Sequence, residues 1–273
     1  MRILILGYGY VGQPLAKELI ELDYEVHAAR RSPLSIEGAK THQVDITQRD
    51  SFEFLPRNFD WIIFCASSAR GNAEAHRSVF VDGINNLIDW VGETSARILF
   101  TSSTNVYPHT NGNWVDENTP QQPVAGTAQN LVDAETALMQ SDITCSILRV
   151  AGIYGPDRGY FYRQLLNNEA VVTDKGKRWM NMIHRDDVVG AILAAMKIQL
   201  GVYNTCDDKP VTQGEFYEWL TNRLGKPMPP EGEVTNQKRA TTSKRVSNKK
   251  LKAAGWTLNY PTFREGYETL ITG

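Results

Sequence analysis

Short runs of apolar, β-branched residues alternate along the chain with segments whose apolar residues recur at helical spacing. The apolar runs predict buried strands over Arg2–Leu6, Tyr24–Ala29, Trp61–Cys65, Arg97–Thr101, Thr144–Val150 and Val202–Asn204. The helical spacing predicts helices over Pro14–Leu22, Val79–Val91, Asn130–Met139 and Asp186–Met196. Strands with few polar positions are buried on both faces, as in a parallel sheet covered by helices. The pattern therefore predicts an α/β fold with a doubly wound parallel sheet of the Rossmann type.

The pattern changes near residue 150. Gly, Pro and aromatic residues become frequent in GIYGPDRGYFYRQL (152–165) and in LGKPMPPEGE (224–233). We predict a dinucleotide-binding core over 1–150 and a smaller C-terminal substrate lobe over 151–273, with 181–206 returning to the core. At 273 residues the chain is long enough to bury a substantial core.

Composition and charge narrow the classes of partner. A net charge of −2 gives no overall attraction to nucleic acid or acidic lipid. The longest apolar run, 188–196, is too short to cross a bilayer, and the chain starts directly with a strand, so we expect neither a membrane span nor a signal peptide. Three widely separated cysteines, Cys65, Cys145 and Cys206, favour reduced thiols and a cytoplasmic location. We therefore expect a small-molecule substrate and no nucleic-acid partner.

A basic run, KRATTSKRVSNKKLK (238–252), departs from this even balance of charge. It fits a loop followed by the solvated face of a helix. The alternative is that Lys244 or Arg245 meets a phosphate group of the substrate, because cations form strong charge-assisted hydrogen bonds with phosphate.

Three glycines, Gly7, Gly9 and Gly12, form a GxGxxG pattern between the first predicted strand and the first predicted helix. In this setting the first glycine permits a tight turn, the second lets the backbone approach a diphosphate, and the third lets the helix pack on the strand. The helix N-terminus presents its N–H groups and partial positive charge to the anion. We predict a dinucleotide bound by residues 7–12, with Tyr8, Tyr10 and Val11 between the glycines.

The end of the second predicted strand bears on the choice of cofactor. An acidic residue about twenty positions after the glycines would bind a ribose 2′-hydroxyl and favour NAD. The chain has Arg30 and Arg31 there, and no acidic residue beside them. A guanidinium suits a 2′-phosphate, so we predict NADP over NAD. The alternative is that both arginines are simply exposed.

Several segments together resemble one family. They are GYGYVGQPLA (7–16), VDIT (44–47), CASSA (65–69), FTSSTNVYP (100–108), LRVAGIYGP (148–156), MIHRDDVVGAI (182–192) and KRVSNKKLKAAGWTLNYPTFREG (244–266). In this order they resemble the extended short-chain dehydrogenase/reductase superfamily. More closely, they are similar to its atypical branch of NAD(P)-dependent epimerase/dehydratase-like proteins, and the resemblance spans nearly the whole chain.

The resemblance implies roles for individual residues. Asp45 would accept a hydrogen bond from the adenine amino group, with Ile46 beside the adenine. Cys65, Ala66 and Ser67 would line the central part of the cofactor. Ser103 matches the serine that hydrogen-bonds the reacting substrate oxygen. Segment 154–156 matches a turn near the nicotinamide, and segment 184–186 matches the loop leading back into the core.

One departure from the family is central. Members of the family carry a Tyr-x-x-x-Lys pair after the serine strand, in which the tyrosine is the general acid/base. Counting back from Glu135 places Thr127 and Leu131 at these positions, and no other Tyr-x-x-x-Lys occurs in the chain. Neither threonine nor leucine can do that chemistry, so the usual oxidoreductase or epimerase mechanism is in doubt, whereas nucleotide binding is not affected.

Other side chains could supply the proton. Tyr107 and Tyr154 are the leading candidates, and for each the alternative is a packed aromatic whose hydroxyl is bonded nearby. His109 and His184 titrate in a useful range, but His184 equally suits a structural histidine that orients Asp186.

Two functions follow. The first is an enzyme that transfers a hydride between NAD(P) and a small polar substrate, for example one of nucleotide-sugar type, with Ser103 anchoring the substrate oxygen. The second is a non-catalytic NAD(P)-binding sensor or interaction module, which the missing Tyr and Lys favour. The predicted helices 79–91 and 130–139 suit a homodimer contact and burial against the sheet equally well.

Overall fold

The computed structural model describes residues 1–68, 72–92, 94–122, 126–233 and 242–272. In chain order its strands are β1 (Arg2–Leu6), β2 (Glu25–Arg30), β3 (Ala39–Gln43), β4 (Trp61–Phe64), β5 (Arg97–Ser103), β6 (Trp114–Val115), β7 (Cys145–Val150), β8 (Gly152–Tyr154), β9 (Trp179–Met180), β10 (Met182–His184), β11 (Val202–Thr205), β12 (Val211–Thr212) and β13 (Arg245–Val246). Its helices are α1 (Gly12–Glu21), α2 (Ala73–Arg77), α3 (Gly83–Val91), α4 (Gly126–Gln140), α5 (Tyr160–Leu166), α6 (Arg185–Ala195), α7 (Gln213–Leu224), α8 (Lys249–Ala253) and α9 (Phe263–Thr272).

Seven strands form one parallel sheet in the order β11-β7-β5-β4-β1-β2-β3. The chain reverses its direction of travel across the sheet between β1 and β4. In such sheets ligands bind outside the carboxyl ends of the strands at this reversal. The predicted doubly wound parallel sheet is confirmed, and each predicted strand and helix overlaps an observed one.

The strands that read as apolar form the centre of the core. Residues 3–6 of β1 and 62–64 of β4 are at most 1% exposed. Helices α1, α3 and α6 pack buried faces against this sheet, and α2 runs into α3 through one π-helical turn, Ser78–Asp82. Burial on both faces explains why these strands carry almost no polar positions.

The edge strand β3 was not among the predicted elements. All five residues of β3, AKTHQ, are half-buried or exposed. The segment therefore has neither an apolar run nor an alternation of apolar and polar residues from which a strand could be predicted. Its position comes from backbone pairing with β2, in which Arg30 lies opposite Gln43. This pairing brings residues 44–46 to the carboxyl end of the sheet.

A second, smaller hydrophobic cluster lies in the C-terminal part of the chain. It is built on aromatic residues that include Tyr154, Phe216, Phe263 and Tyr267, whereas Ile183 and most apolar residues of α6 belong to the main cluster. The domain boundary near residue 150 stays a prediction. Among the described residues, no helix is long and apolar enough to cross a membrane.

Candidate functional site

Two glycines of the loop between β1 and α1 are required by the protein's own packing. Gly7 has φ +111°, and a Cβ atom there would lie 2.5 Å from the backbone nitrogen of Ala66. A Cβ atom on Gly12 would lie 2.3 Å from the carbonyl oxygen of Gly7. Both contacts are with backbone, which cannot move aside, so any side chain at Gly7 or Gly12 disturbs the fold.

Gly9 is different, because the protein itself does not require a glycine there. It is exposed, its φ is not positive, and a Cβ atom on it would meet nothing within 4 Å. The adjoining first turn of α1 contains no acidic residue and no side-chain cap. Bare backbone at a helix N-terminus is a site for an anion, so the loop fits a diphosphate lying against Gly9.

The residues predicted to bind the adenosine half meet at the same corner of the sheet. The backbone nitrogens of Gly7 and Tyr8 donate to the carbonyl oxygen of Ala29, and that of Val44 donates to Arg30. This places the glycine loop, Arg30 and Asp45 side by side. Arg30 is half-buried and Arg31 is exposed, so both guanidinium groups are accessible to a ligand.

Asp45 is held by its own turn. Its Oδ1 accepts hydrogen bonds from the nitrogen of Thr47 at 3.1 Å and from Thr47 Oγ1 at 2.8 Å. The next residue, Ile46, is fixed by Asn86, whose Nδ2 donates to the carbonyl oxygen of Ile46 at 3.0 Å. These bonds fix the direction of the Asp45 carboxylate before any ligand binds.

The residues after β4 close the other side of the loop. Cys65 donates from Sγ to the carbonyl oxygen of Gly7 at 3.3 Å, and burial raises the pKa of its thiol to about 12. Cys65 is therefore a neutral packing residue at neutral pH. Ala66 packs against Gly7 and Ser67 is exposed, whereas Ala69 lies outside the described residues.

Tyr10 links the glycine loop to the C-terminal part of the chain. Its hydroxyl donates to the carbonyl oxygen of Pro156 at 2.8 Å, and burial raises its pKa to about 12. The guanidinium carbons of Arg158 and Arg185 lie 4.9 and 5.3 Å from the centre of its ring. Val11 is buried next to it. Tyr10 thus holds the turn at 155–158 against the loop.

Ser103 lies at the carboxyl end of β5 and is half-buried. Its Oγ accepts a hydrogen bond from the nitrogen of Asn105 at 3.2 Å, which leaves the hydroxyl proton free for a further acceptor. The preceding residue, Ser102, points to the opposite face, as successive residues of a strand do, and is buried. Ser103 therefore lies on the face of β5 opposite Ser102, at the carboxyl end of the sheet, where sheets of this type bind ligands.

Below Ser103, α4 is fixed to the sheet by a buried ionic network. Arg149 donates from Nη2 to Glu135 Oε2 at 2.7 Å, and the two side chains are 5% and 0% exposed. Ser102 Oγ donates to Glu135 Oε1 at 2.5 Å, and Gln121 donates to Glu135 Oε2. In the sequence, Glu135 indicated only where the Tyr and Lys positions of the family lie, whereas in the structure it is the centre of this buried network. An arginine inside an apolar strand, as in SILRV, is the signal that a buried partner exists.

Tyr107 is part of this network. It is fully buried, accepts from Arg149 Nη1 at 2.8 Å and donates to Asn204 Oδ1 at 2.9 Å. Burial raises the pKa of its hydroxyl. Its placement favours the packed-aromatic alternative over that of a proton donor to a substrate.

Tyr154 is equally buried, at 1% exposure. Its ring stacks on Tyr267 with centroids 4.3 Å apart and meets His184 edge-on. Its hydroxyl has no hydrogen-bond partner among the described residues, and burial raises its pKa. Tyr154 is packed, with Gly266 so close that a Cβ there would lie 2.1 Å from the hydroxyl oxygen, but the hydroxyl is not bonded nearby as the packed alternative expects.

The two positions of the missing Tyr-x-x-x-Lys pair lie on α4. Thr127 is half-buried in its first turn, and Leu131 is 4% exposed and belongs to the main core. His184 caps α6, with its Nδ1 accepting from the nitrogen of Asp186 at 3.2 Å, as the structural alternative for this histidine expects. Burial lowers the pKa of His184, and neither Thr127 nor Leu131 carries a group that titrates in this range.

The structure describes residues 242–252 of the basic run 238–252, since 238–241 lie outside the described residues. Lys244 is buried, donates from Nζ to the carbonyl oxygen of Tyr107 at 2.9 Å, and its pKa is lowered by burial to about 8. Arg245 is held between the rings of Trp114 and Trp179, 5.2 and 4.9 Å from their centres. Both cations have structural partners within the protein. Lys244 is buried and Arg245 lies in β13, so these two residues do not form the solvated loop that the sequence suggested.

The chain is similar to known proteins in sequence and in structure. A model of the NAD dependent epimerase/dehydratase family matches residues 3–204. The chain is 27% identical over 240 residues to Protein YeeZ of Escherichia coli K12, covering 82% of this chain and 84% of YeeZ.

Two solved structures extend over almost the whole chain. A provisionally assigned NAD-dependent epimerase/dehydratase from Methylobacillus flagellatus is 28% identical, with a TM-score of 0.82 and coverage of 99% of this chain and 97% of that one. The UDP-glucose 4-epimerase of Thermus thermophilus, solved with NAD, is 20% identical, with a TM-score of 0.80 and coverage of 99% and 98%. The second likeness concerns the fold alone.

Proposed function

Because the chain belongs to the NAD-dependent epimerase/dehydratase family, we propose that it binds a nicotinamide dinucleotide, NADP in preference to NAD, and transfers a hydride to or from a small polar substrate of nucleotide-sugar type. The observation that carries the proposal is the contrast within the glycine loop. Gly7 and Gly12 are needed for packing, whereas Gly9 faces open space at the N-terminus of α1.

The proposed cofactor contacts follow from this arrangement. The backbone of residues 7–12 would hold the diphosphate, and the Asp45 carboxylate would accept from the adenine amino group. Arg30 and Arg31 would hold a ribose 2′-phosphate, and Cys65, Ala66 and Ser67 would lie along the middle of the cofactor. When bound, the nicotinamide ring supplies or accepts the hydride.

Ser103 carries the chemistry proposed for the protein itself. Its hydroxyl would donate to the substrate oxygen and hold the reacting carbon in line for the hydride. The side chains of Tyr107 and Tyr154 are almost fully buried, so we propose that the proton of the substrate oxygen exchanges with water instead. A dedicated acid/base contributes roughly 10²–10⁴-fold, and we expect turnover slower than in relatives with Tyr-x-x-x-Lys by about that factor.

The test is a Ser103→Ala variant assayed with a panel of UDP-sugars by the absorbance of the reduced nicotinamide. We expect cofactor affinity to be unchanged and turnover to fall by about ten-fold or more, because one charge-stabilising hydrogen bond is lost. Tyr107→Phe and Tyr154→Phe, assayed alongside, should keep turnover within about three-fold of the parent. Equal turnover of Ser103→Ala and the parent would overturn the proposed role of Ser103.

A second candidate function has its own support. Leu131 is apolar and buried where the family has its lysine, and Tyr107 and Tyr154 are buried. A non-catalytic NAD(P)-binding sensor or interaction module would have these features, because it needs no proton donor. Saturable cofactor binding without oxidation or reduction of any sugar in the panel would favour this function.

The preference for NADP gives a separate prediction. Replacing Arg30 and Arg31 together with alanine should weaken NADPH binding about 10-fold to 100-fold, because charge-assisted hydrogen bonds contribute about 1.5–3 kcal/mol. NADH binding should change by less than about two-fold. Isothermal titration with both cofactors measures this, with Arg57→Ala as the control because Arg57 is an exposed arginine elsewhere on the surface. Equal losses for both cofactors would contradict the assignment.

We also propose a cellular location and an assembly for the protein. The three free cysteines are consistent with a cytoplasmic protein. A homodimer through α3 and α4, and action on small molecules without nucleic acid, complete the proposed picture.

A further inference from the structure

Among the described residues, two arginines are buried, in very different surroundings. Arg149 is matched by the carboxylate of Glu135 and by the hydroxyl of Tyr107. Arg178, just before β9, is 8% exposed and forms no ion pair with any described residue. A buried cation without an anion costs folding free energy, and natural proteins seldom keep one without a use.

The contacts of the Arg178 guanidinium leave most of its hydrogen-bonding capacity unused. Its Nε is buried without a partner among the described residues, and its Nη2 reaches only the sulfur of Met180, at 3.5 Å. Its Cζ lies 5.2 Å from the ring centre of Phe161 in α5. Burial lowers the pKa of Arg178, and the nearby Tyr217 hydroxyl opposes this only in part.

The surroundings are suited to attracting an anion. Lys175 and Lys177 are exposed on the same short segment, DKGKR, of which Arg178 is the last residue. Of the segments outside the described residues, the longest, VTNQKRAT (234–241), contains no aspartate or glutamate that could pair with it. The small remaining exposure of Arg178 gives a ligand access to the guanidinium.

We propose that Arg178 is the anchor of an oxyanion-binding site between α5, α7 and β9, which takes a carboxylate or phosphoryl group. The planar guanidinium offers paired N–H groups that match two oxygens of such a group. Phe161 and Tyr217 form apolar walls that would strengthen the charged hydrogen bonds. The inference does not depend on the proposed hydride transfer, since it concerns an anion alone.

The experiment measures the urea midpoint of the full chain against inorganic phosphate and, separately, against acetate, with chloride at equal ionic strength as the reference. A ligand that binds only the folded state raises the midpoint saturably. We expect such a rise with at least one of the two anions. A response to phosphate alone assigns a phosphoryl group, and a response to acetate alone assigns a carboxylate.

Variants make the test specific. Lys197→Met, which removes the same charge from an exposed site on another segment, should respond like the parent. Arg178→Met should start at an equal or higher midpoint, because the uncompensated charge is gone, and its apparent anion affinity should fall at least ten-fold. NADPH binding should be unchanged in both variants, which separates this inference from the proposed function.

Three results would overturn the proposal. The first is a parent response no larger than that to chloride. The second is an Arg178→Met response with the same half-saturating anion concentration as the parent. The third is a folded Arg178→Met whose urea midpoint without anion lies well below that of Lys197→Met. If Arg178→Met does not fold, Arg178→Lys keeps the charge and loses the paired geometry. The anion concentration that half-saturates the rise in urea midpoint should then be about ten-fold higher than in the parent. An unchanged concentration would count against the site.

Discussion

Replacing Gly9 with aspartate should abolish measurable NADPH binding while the urea midpoint stays close to that of the parent. A Cβ atom at this exposed position meets no atom of the protein within 4 Å, so we expect the fold to tolerate the side chain. A carboxylate about 4 Å from a diphosphate, at an effective dielectric of about 20, costs about 4 kcal/mol, or close to a thousand-fold in affinity. Fluorescence titration with NADPH measures the binding.

Gly9→Asn is the matched control, because it has nearly the same size without the charge. We expect it to lose affinity less severely than Gly9→Asp, and the difference between the two variants reports the charge of the ligand. Parental affinity in Gly9→Asp would remove the basis for placing a diphosphate against this loop. A lowered urea midpoint in Gly9→Asp would contradict the open space seen at this position.

Replacing Arg149 with methionine should lower the free energy of unfolding by about 3–5 kcal/mol, because it leaves the Glu135 carboxylate buried without its cation. Glu135 is fully buried, and its remaining partners are the neutral side chains of Ser102 and Gln121. Urea denaturation with linear extrapolation measures the loss. Arg57→Met, at an exposed site, should change stability by less than about 0.5 kcal/mol.

A second substitution tests the cause of that loss. Glu135→Gln combined with Arg149→Met removes the stranded charge and keeps a carbonyl oxygen for Ser102, so it should recover part of the lost stability. A loss below about 1 kcal/mol in Arg149→Met would mean that the ion pair hardly stabilises the fold. No recovery in the double variant would mean that packing of the arginine stem matters more than the charge.

The fold was largely readable from the sequence because burial on both faces leaves a direct mark on composition. Strands such as β1 and β4 must be apolar throughout, and the helices between them must repeat their apolar residues at helical spacing. The edge strand β3 was not predicted, because its residues are half-buried or exposed and its position depends on pairing with β2. Short strands such as β6 and β13 were not predicted, because each has only two residues and two residues show no periodicity.

The site was readable in part. The spacing of Gly7, Gly9 and Gly12 indicated a diphosphate loop, but only the structure separates the two glycines needed for packing from the one that faces open space. Tyr107 and Tyr154 were predicted to be proton donors because of their positions along the chain. Their depth below the surface depends on contacts with Asn204 and Tyr267, which are distant in sequence.

The sequence by itself determined the layered α/β architecture, the glycine loop at the first strand–helix junction and the lack of a Tyr-x-x-x-Lys pair, because each is a local pattern of residue types. Only the tertiary structure decided which polar groups are paired. The Arg149 charge is balanced by Glu135, whereas Arg178 has no carboxylate partner among the described residues. The physical reason is that pairing depends on distances between side chains from different elements, and no local pattern of residues encodes those distances.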